Sequence, residues 1–348
     1  MIIEGRNIGV GYPCYVIAEM SANHHKDLGK ARAIIRAAKE AGADAVKIQT
    51  YTADTLTIDC DNEYFRLGKH KLWGGKTLYQ LYEEACMPWE WHGKLKKQAE
   101  DLEIALFSTA YDESSVDFLE ELEVGAYKIA SFELVDIPLL EKVARTGKPV
   151  MISTGMATLD EIKLAFQTLR DNGAGPICLL KCVSGYPTDP ADMNLLTIPD
   201  LKKTFKTIIG LSDHTLETSI PVAAISLGAN VIEKHFTLSR SDMGPDSSFS
   251  MEPAEFRQMV HDIRIGEKAL GRVFYGRTAC EEESTKFRRS IFSVKDIEKG
   301  EILTQENVRI IRPGVGLAPF HYNEILGKKA TANVLRGIPI AWDLVEDA

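Results

Sequence analysis

What the chain lacks narrows its function first. Its 348 residues contain no run of about 18 apolar residues, the length a membrane-spanning helix needs. The opening stretch MIIEGRNIGVGYP carries Glu4 and Arg6. It has neither the basic start and apolar run nor the small-residue cleavage site of a secretory signal, so a cytoplasmic location is expected. The cysteines Cys14, Cys60, Cys86, Cys178, Cys182 and Cys280 are scattered and form no CxxC pair, which reads as reduced thiols and argues against structural zinc. Positive charge is in deficit: 41 Lys and Arg against 50 Asp and Glu leave a net charge of −9, which disfavours nucleic acid and anionic membrane surfaces as partners. An anionic small substrate would therefore need a local cluster of cations.

What is present is enough for one large domain and one small one, with 45% hydrophobic residues to build a core. From about residue 14 to 270, short β-rich runs alternate with amphipathic segments. Eight runs stand out: 16–20, 45–50, 105–109, 126–130, 150–153, 177–182, 207–211 and 231–235. Most are continuously apolar, as strands buried on both faces are. Asp27 is placed to cap a helix with Leu28, Ala31, Ile35 and Ala38 on one face. Thr158 and Glu161 form a capping box before Ile162, Ala165 and Leu169. A last helix starts near Pro253, carries Phe256, Met259, Val260 and Ile263, and stops near Gly271. Eight βα units in about 250 residues predict a TIM barrel, an α/β fold. The sequence therefore divides into a barrel over 1–271, a polar linker over 272–287 and a small, mostly β domain over 288–348.

A barrel keeps its reacting groups at the C-terminal ends of its strands. In this chain every strand ends in groups that ionise or hydrogen-bond: Glu19, Asn23 and His24; Lys47 and Gln49; Ser108 and Thr109; Lys128, Ser131 and Glu133; Ser153 and Thr154; Lys181, Ser184 and Tyr186; Ser212, Asp213 and His214; Glu233, Lys234 and His235. Lys47 and Lys128, with the hydroxyls of Thr109, Ser131, Ser153 and Ser212, make a kit for a small organophosphate that also bears a carboxylate. Singly, such lysines are as well explained by solvation and such hydroxyls by helix capping. His214 and His235 end consecutive strands and are candidates to share one divalent ion. Two nitrogen ligands favour Mn2+ or Co2+ over Mg2+, leaving positions for water and substrate. The alternative for each is a hydrogen-bonded core histidine.

IAEMSANH, ADAVKIQTY, AYKIASFEL, PVMISTGM, IIGLSDHT, VIEKHFTL and GPDSSFSMEP, in this order, resemble the motif series of the sialic acid synthase family. RRSIF through IRPGVGL resembles the antifreeze-like SAF domain that ends those enzymes. The resemblance implies a condensation of phosphoenolpyruvate with an acetamido sugar. It implies metal at His214 and His235 and phosphoenolpyruvate held by Lys47, Thr109, Lys128, Ser131, Ser153, Ser184 and Ser212. Ser184 stands where N-acetylneuraminate-forming members usually carry Asn. Glu19, Gln49, Glu133, Tyr186 and Asp246 would face the sugar or the reacting carbons, and Glu19 and Glu133 are both candidates to move protons. A domain-swapped homodimer is also implied, in which Arg312 touches the sugar acetamido group in the partner's barrel.

LWGGKTLYQLYEEACMPWEWHGKL and GPDSSFSMEP resemble the branch of the family whose acceptor is 2,4-diacetamido-2,4,6-trideoxy-L-altrose. Ser247, Ser248 and Phe249 would make an apolar wall for its C6 methyl, and Trp73, Trp89 and Trp91 would be core, lid or stacking residues. The rival readings are N-acetylneuraminate or legionaminate formation, a metal-free Schiff-base aldolase using Lys128 or Lys47, and a carbohydrate-binding protein without activity.

Overall fold

The computed structural model describes residues 1–68 and 72–346; Asp347 and Ala348, at the end of the expected small domain, lie outside the described residues. Two compact units emerge, 1–271 and 272–348.

In the first unit eight parallel strands close a barrel. They are β1 (Tyr15–Glu19), β2 (Ala45–Thr50), β3 (Ala105–Ala110), β4 (Tyr127–Ile129), β5 (Val150–Ser153), β6 (Ile177–Cys182), β7 (Ile208–Asp213) and β8 (Val231–His235). The ring closes where β8 pairs with β1, His235 standing opposite Glu19. Eight helices follow the strands: α1 (Leu28–Glu40), α2 (His92–Asp101), α3 (Glu113–Glu121), α4 (Ile137–Ala144), α5 (Leu159–Asp171), α6 (Thr197–Phe205), α7 (Ser219–Ser226) and α8 (Pro253–Leu270). Asp27 caps α1 by accepting from Gly29 and Lys30 N–H, and the Thr158–Glu161 box caps α5. The apolar stripes of α1, α5 and α8 face the outside of the barrel wall, in the larger of the barrel's two buried clusters.

The pleat explains what fills the barrel. Side chains two apart on a strand share a face, and the inward set changes chemistry along the axis. Ile17, Ala45, Phe107, Ala126, Met151, Leu180 and Val231 form an apolar layer low in the barrel. One step further along their strands, the same faces carry Glu19, Lys47, Thr109, Lys128, Ser153, Cys182 and Glu233. Gly210 leaves room in this wall, because a Cβ there would meet Leu180 Cδ2 at 2.5 Å and Val231 O at 2.5 Å. A short hairpin, Ile2–Ile3 against Arg6–Asn7, adds Ile3 and Ile8 to the lower layer. The opening residues thus contribute to the inner apolar cluster.

Between β2 and α2 the chain makes a long excursion with two short helices, Ala53–Leu56 and Leu78–Ala85. Trp89 packs on Phe118 of α3 at 4.7 Å between ring centroids, and Trp91 on His24 at 5.8 Å. Both serve packing.

The second unit has one antiparallel pair, β9 (Ser290–Ser293) and β10 (Val308–Ile311), around a core that includes Ile291, Leu303, Val308, Ile325 and Ile340. Beyond Ile325 the described residues of this mostly β domain pair through single bridges, such as Ala330 with Val345.

Candidate active site

Inward side chains at the strand ends surround a cavity of about 420 Å³. The strand register brings the charged ones together. Glu19 stands opposite Lys47, Gln49 opposite Thr109, and Thr109 opposite Lys128. Lys47 Nζ lies 2.6 Å from Glu19 Oε2 and donates to Thr109 Oγ1 at 2.8 Å. Lys128 Nζ donates to Ser153 Oγ at 2.7 Å. Glu233 sits between the two ammoniums, 3.7 Å from each, and accepts from Ser212 at 3.4 Å.

These charges are buried, so their protonation follows from their neighbours. Burial works to discharge Lys47, but Glu19 and Glu233 outweigh it and hold the ammonium above its ordinary range. Burial raises Glu19 above the usual carboxylate range, against the pull of Lys47. Glu233 also pays for burial, yet Lys128 and Lys47 hold it below the ordinary range as a carboxylate. Lys128, with weaker compensation, is lowered by burial.

His214 and His235 extend from the ends of β7 and β8, with ring centroids 5.3 Å apart. His214 Nδ1 donates to Val183 O at 2.7 Å, so that in the neutral ring Nε2 carries the lone pair. Nδ1 of buried His235 has no hydrogen-bond partner. The separation is one that two imidazoles can span around a single ion at about 2.1 Å metal–nitrogen distances. No cluster of three or more His, Cys, Asp or Glu suited to a metal occurs among the described residues. Two imidazoles would thus be the protein's share of such an ion's coordination, the rest falling to water or substrate oxygen.

The Tyr186 ring packs, tilted, against His214 at 4.4 Å and Phe249 at 5.0 Å between centroids, making an aromatic wall that Trp73 extends at 6.0 Å from Tyr186. Opposite it in chemistry, Gln49 Nε2 donates to Glu19 at 2.9 Å and to Ser21 at 3.0 Å, while Ser21 donates to Asp246. Glu133 follows β4 on a 3-10 turn. Its Oε2 is buried without a partner, and burial raises its carboxyl to about 7. Ser131 accepts from Gly155 N–H at 3.0 Å. Ser184 Oγ is buried and unpartnered beside them: a Cβ on Gly155 would meet it at 2.3 Å and Ser131 Oγ at 2.7 Å. Glycine keeps this hydroxyl-lined recess open.

The expected residues Glu19, Lys47, Gln49, Lys128, Ser131, Glu133, Ser153, Tyr186, Ser212, His214, His235, Asp246 and Phe249 all line the cavity. Thr109 stands behind Lys47 as its acceptor. Ser247 differs from the sugar-facing place expected for it. It is fully buried, donates to Asn23 Oδ1 at 3.1 Å and accepts from Gly244 N–H at 3.1 Å, so it ties the loop after β8 to the loop after β1. Arg312 belongs to the second unit, just after β10. Several strand-end groups point away from the axis because they occupy the other face of the pleat. Ser108 bonds Thr50 at 2.6 Å, and Lys234 pairs with Asp213 at 2.6 Å behind the two histidines. Sequence reasoning passed over Glu233 as a working residue, although its spacing of two from His235 signals a shared face. It also missed the apolar side of the cavity, lined by Leu56, Leu67, Leu78, Leu81 and Ala85.

Comparison with known proteins agrees with this geometry. The NeuB family description matches residues 34–275, and that of the SAF domain matches residues 288–346. The pseudaminic acid synthase of Helicobacter pylori is 42% identical over 337 residues, 96% of this chain and 98% of that one. The N,N'-diacetyllegionaminic acid synthase of Legionella pneumophila is 36% identical over 346 residues, 97% of this chain and 96% of that one. The crystal structure of the spore coat polysaccharide biosynthesis protein spsE from Bacillus subtilis superposes with a TM-score of 0.67 at 34% identity, covering 100% of this chain and 99% of that one.

Proposed function

The chain belongs to the NeuB family and carries a SAF domain after its barrel, and from that premise we propose that it is a pseudaminic acid synthase. It joins phosphoenolpyruvate to 2,4-diacetamido-2,4,6-trideoxy-L-altrose with water, releasing pseudaminic acid and phosphate. The higher identity to a pseudaminic acid synthase than to a legionaminic one, 42% against 36%, supports this acceptor. The observation that carries the chemistry is the pair of buried ammoniums, Lys47 and Lys128, facing the same cavity as two imidazoles.

In this reading Lys47, Lys128 and the hydroxyls of Ser131, Ser153, Ser184 and Ser212 bind the carboxylate and phosphate of phosphoenolpyruvate. Thr109 orients Lys47. The unpartnered hydroxyl of Ser184 supports a phosphate oxygen nearby, since a buried donor left unpaired costs about 1–3 kcal/mol. C3 of phosphoenolpyruvate bonds to the aldehyde carbon of the open-chain sugar, whose oxygen takes up a proton. Water oxygen then bonds to C2 and loses one proton; the C2–oxygen bond to phosphate breaks with its electron pair going to the phosphate oxygen, which takes up the remaining hydroxyl proton as the C2 ketone forms. Glu133 is the group that moves protons, because its buried oxygen is uncommitted and it titrates at about 7, whereas Glu19 is engaged with Lys47 and Gln49. Gln49, Tyr186, Asp246 and Phe249 border the sugar.

His214 and His235 would hold a divalent ion, Mn2+ before Co2+ or Mg2+, which when bound supplies a Lewis acid for the sugar carbonyl. The assembly is a homodimer in which Arg312 serves the partner's cavity, a reading that rests on the family resemblance. A cytoplasmic setting agrees with six unpaired cysteines. Phosphate release measured with phosphoenolpyruvate and each candidate acceptor tests the assignment. The L-altro diacetamido sugar should give the highest kcat/KM, and a preference for N-acetylmannosamine or a legionaminate precursor would reject it.

A further inference from the structure

The helix Leu78–Ala85 has an apolar face made by Leu78, Leu81, Tyr82 and Ala85, the i, i+3, i+4, i+7 repeat that normally turns toward a core. Here all four residues line the cavity. Leu81 and Ala85 are buried, yet neither belongs to a hydrophobic cluster of the barrel. Leu56 and Leu67, from the same excursion, continue the surface.

The helix is fixed in its pose. Thr77 and Gln80 cap it reciprocally, at 3.0 and 3.2 Å, and Tyr82 meets Tyr51 edge-on at 6.0 Å. In isolation a helix this short would not hold its shape; the cap and the Tyr82–Tyr51 contact hold it, and with it the face its leucines present to the ligand space. Glu19, Gln49, Asp246 and the two lysines line the same cavity, so it offers a ligand both polar groups and a leucine surface.

We propose that the leucine face of this helix, with Leu56, selects the acceptor by its methyl groups, admitting a 6-deoxy diacetamido hexose and disfavouring the same sugar with a C6 hydroxyl. This rests on the reaction assigned above. A hydroxyl turned toward Leu56, Leu78 and Leu81 leaves water without a replacement partner. An apolar pocket rejects an added hydroxyl by about 100-fold.

The test compares kcat/KM for 2,4-diacetamido-2,4,6-trideoxy-L-altrose and for its 6-hydroxy counterpart, each with phosphoenolpyruvate. The wild-type protein should favour the deoxy sugar by about 100-fold. Leu78→Asn should cut that ratio at least about tenfold with the KM for phosphoenolpyruvate unchanged, while Leu78→Met, equally apolar, should keep it. Leu56→Asn, on a different helix, repeats the test if the first variant folds poorly. An unchanged ratio in the folded asparagine variants overturns the inference. A wild-type protein inert toward both sugars overturns the assigned reaction, and this inference with it.

Discussion

Replacing Glu133 by Gln should make the protein more stable at alkaline pH while disabling it. Burial is the largest influence on this carboxyl and moves it from an ordinary 4.5 to about 7. At about 1.36 kcal/mol per pH unit, that corresponds to about 3 kcal/mol. Below 4.5 the group is protonated in folded and unfolded chains alike, and its charge costs the fold nothing. As pH rises toward about 7 the unfolded chain ionises while the folded one retains its proton, so wild-type stability falls. Above that the full cost is in place. Glutamine keeps the shape and never ionises. Urea unfolding of both proteins from pH 5 to 8.5 should show their difference growing through this window to about 3 kcal/mol in favour of Glu133→Gln. The same variant should lose about 100-fold or more in kcat and the limb of the pH–rate profile centred near 7. A stability gap that stays flat with pH, or a variant with wild-type kcat and an unchanged limb, would refute the reasoning.

Lys128→Met should raise the KM for phosphoenolpyruvate about 10- to 100-fold, the worth of a charged hydrogen bond of roughly 1.5–3 kcal/mol, with a smaller effect on the sugar KM; steady-state kinetics in both substrates checks it. His235→Ala should abolish Mn2+ binding followed by electron paramagnetic resonance, and with it any stimulation of turnover by the ion. The Asp213–Lys234 pair, each partner 1% exposed, is wholly desolvated. Asp213→Ala should cost about 3–5 kcal/mol in urea unfolding, whereas Asp213→Leu combined with Lys234→Met should recover most of it, because no buried charge is left unpaired.

Much of this architecture was legible in the sequence. The barrel could be read because its strands are short apolar runs of regular spacing, and helices α1, α5 and α8 announce themselves by caps and stripes. The inner site could be read because each strand changes from apolar to polar at its C-terminal end. What that reading did not use was the pleat. Ser108, Asp213 and Lys234 end strands as surely as Thr109, Ser212 and Glu233 do, but alternation turns them toward the helices. Ser247 was assigned to the sugar by its place in a motif, and only the fold reveals that its hydroxyl binds two loops together. The Leu78–Ala85 segment was read only as part of a motif; its apolar residues recur at helical spacing, but periodicity does not say whether such a face meets a core or a cavity. Two-residue strands at the N-terminus are too short to give any periodic signal, so the hairpin carrying Ile3 and Ile8 into the barrel went unseen.

The central claim is that two buried lysines and two histidines in one cavity serve a condensation. Liquid chromatography with mass detection, applied to a reaction of phosphoenolpyruvate, the L-altro diacetamido sugar and Mn2+, tests it most directly. A nonulosonic acid and phosphate should appear in equal amounts, and EDTA should stop both. Formation of the acid undiminished by EDTA, together with a pyruvyl adduct trapped on Lys47 or Lys128 by borohydride, would contradict the account.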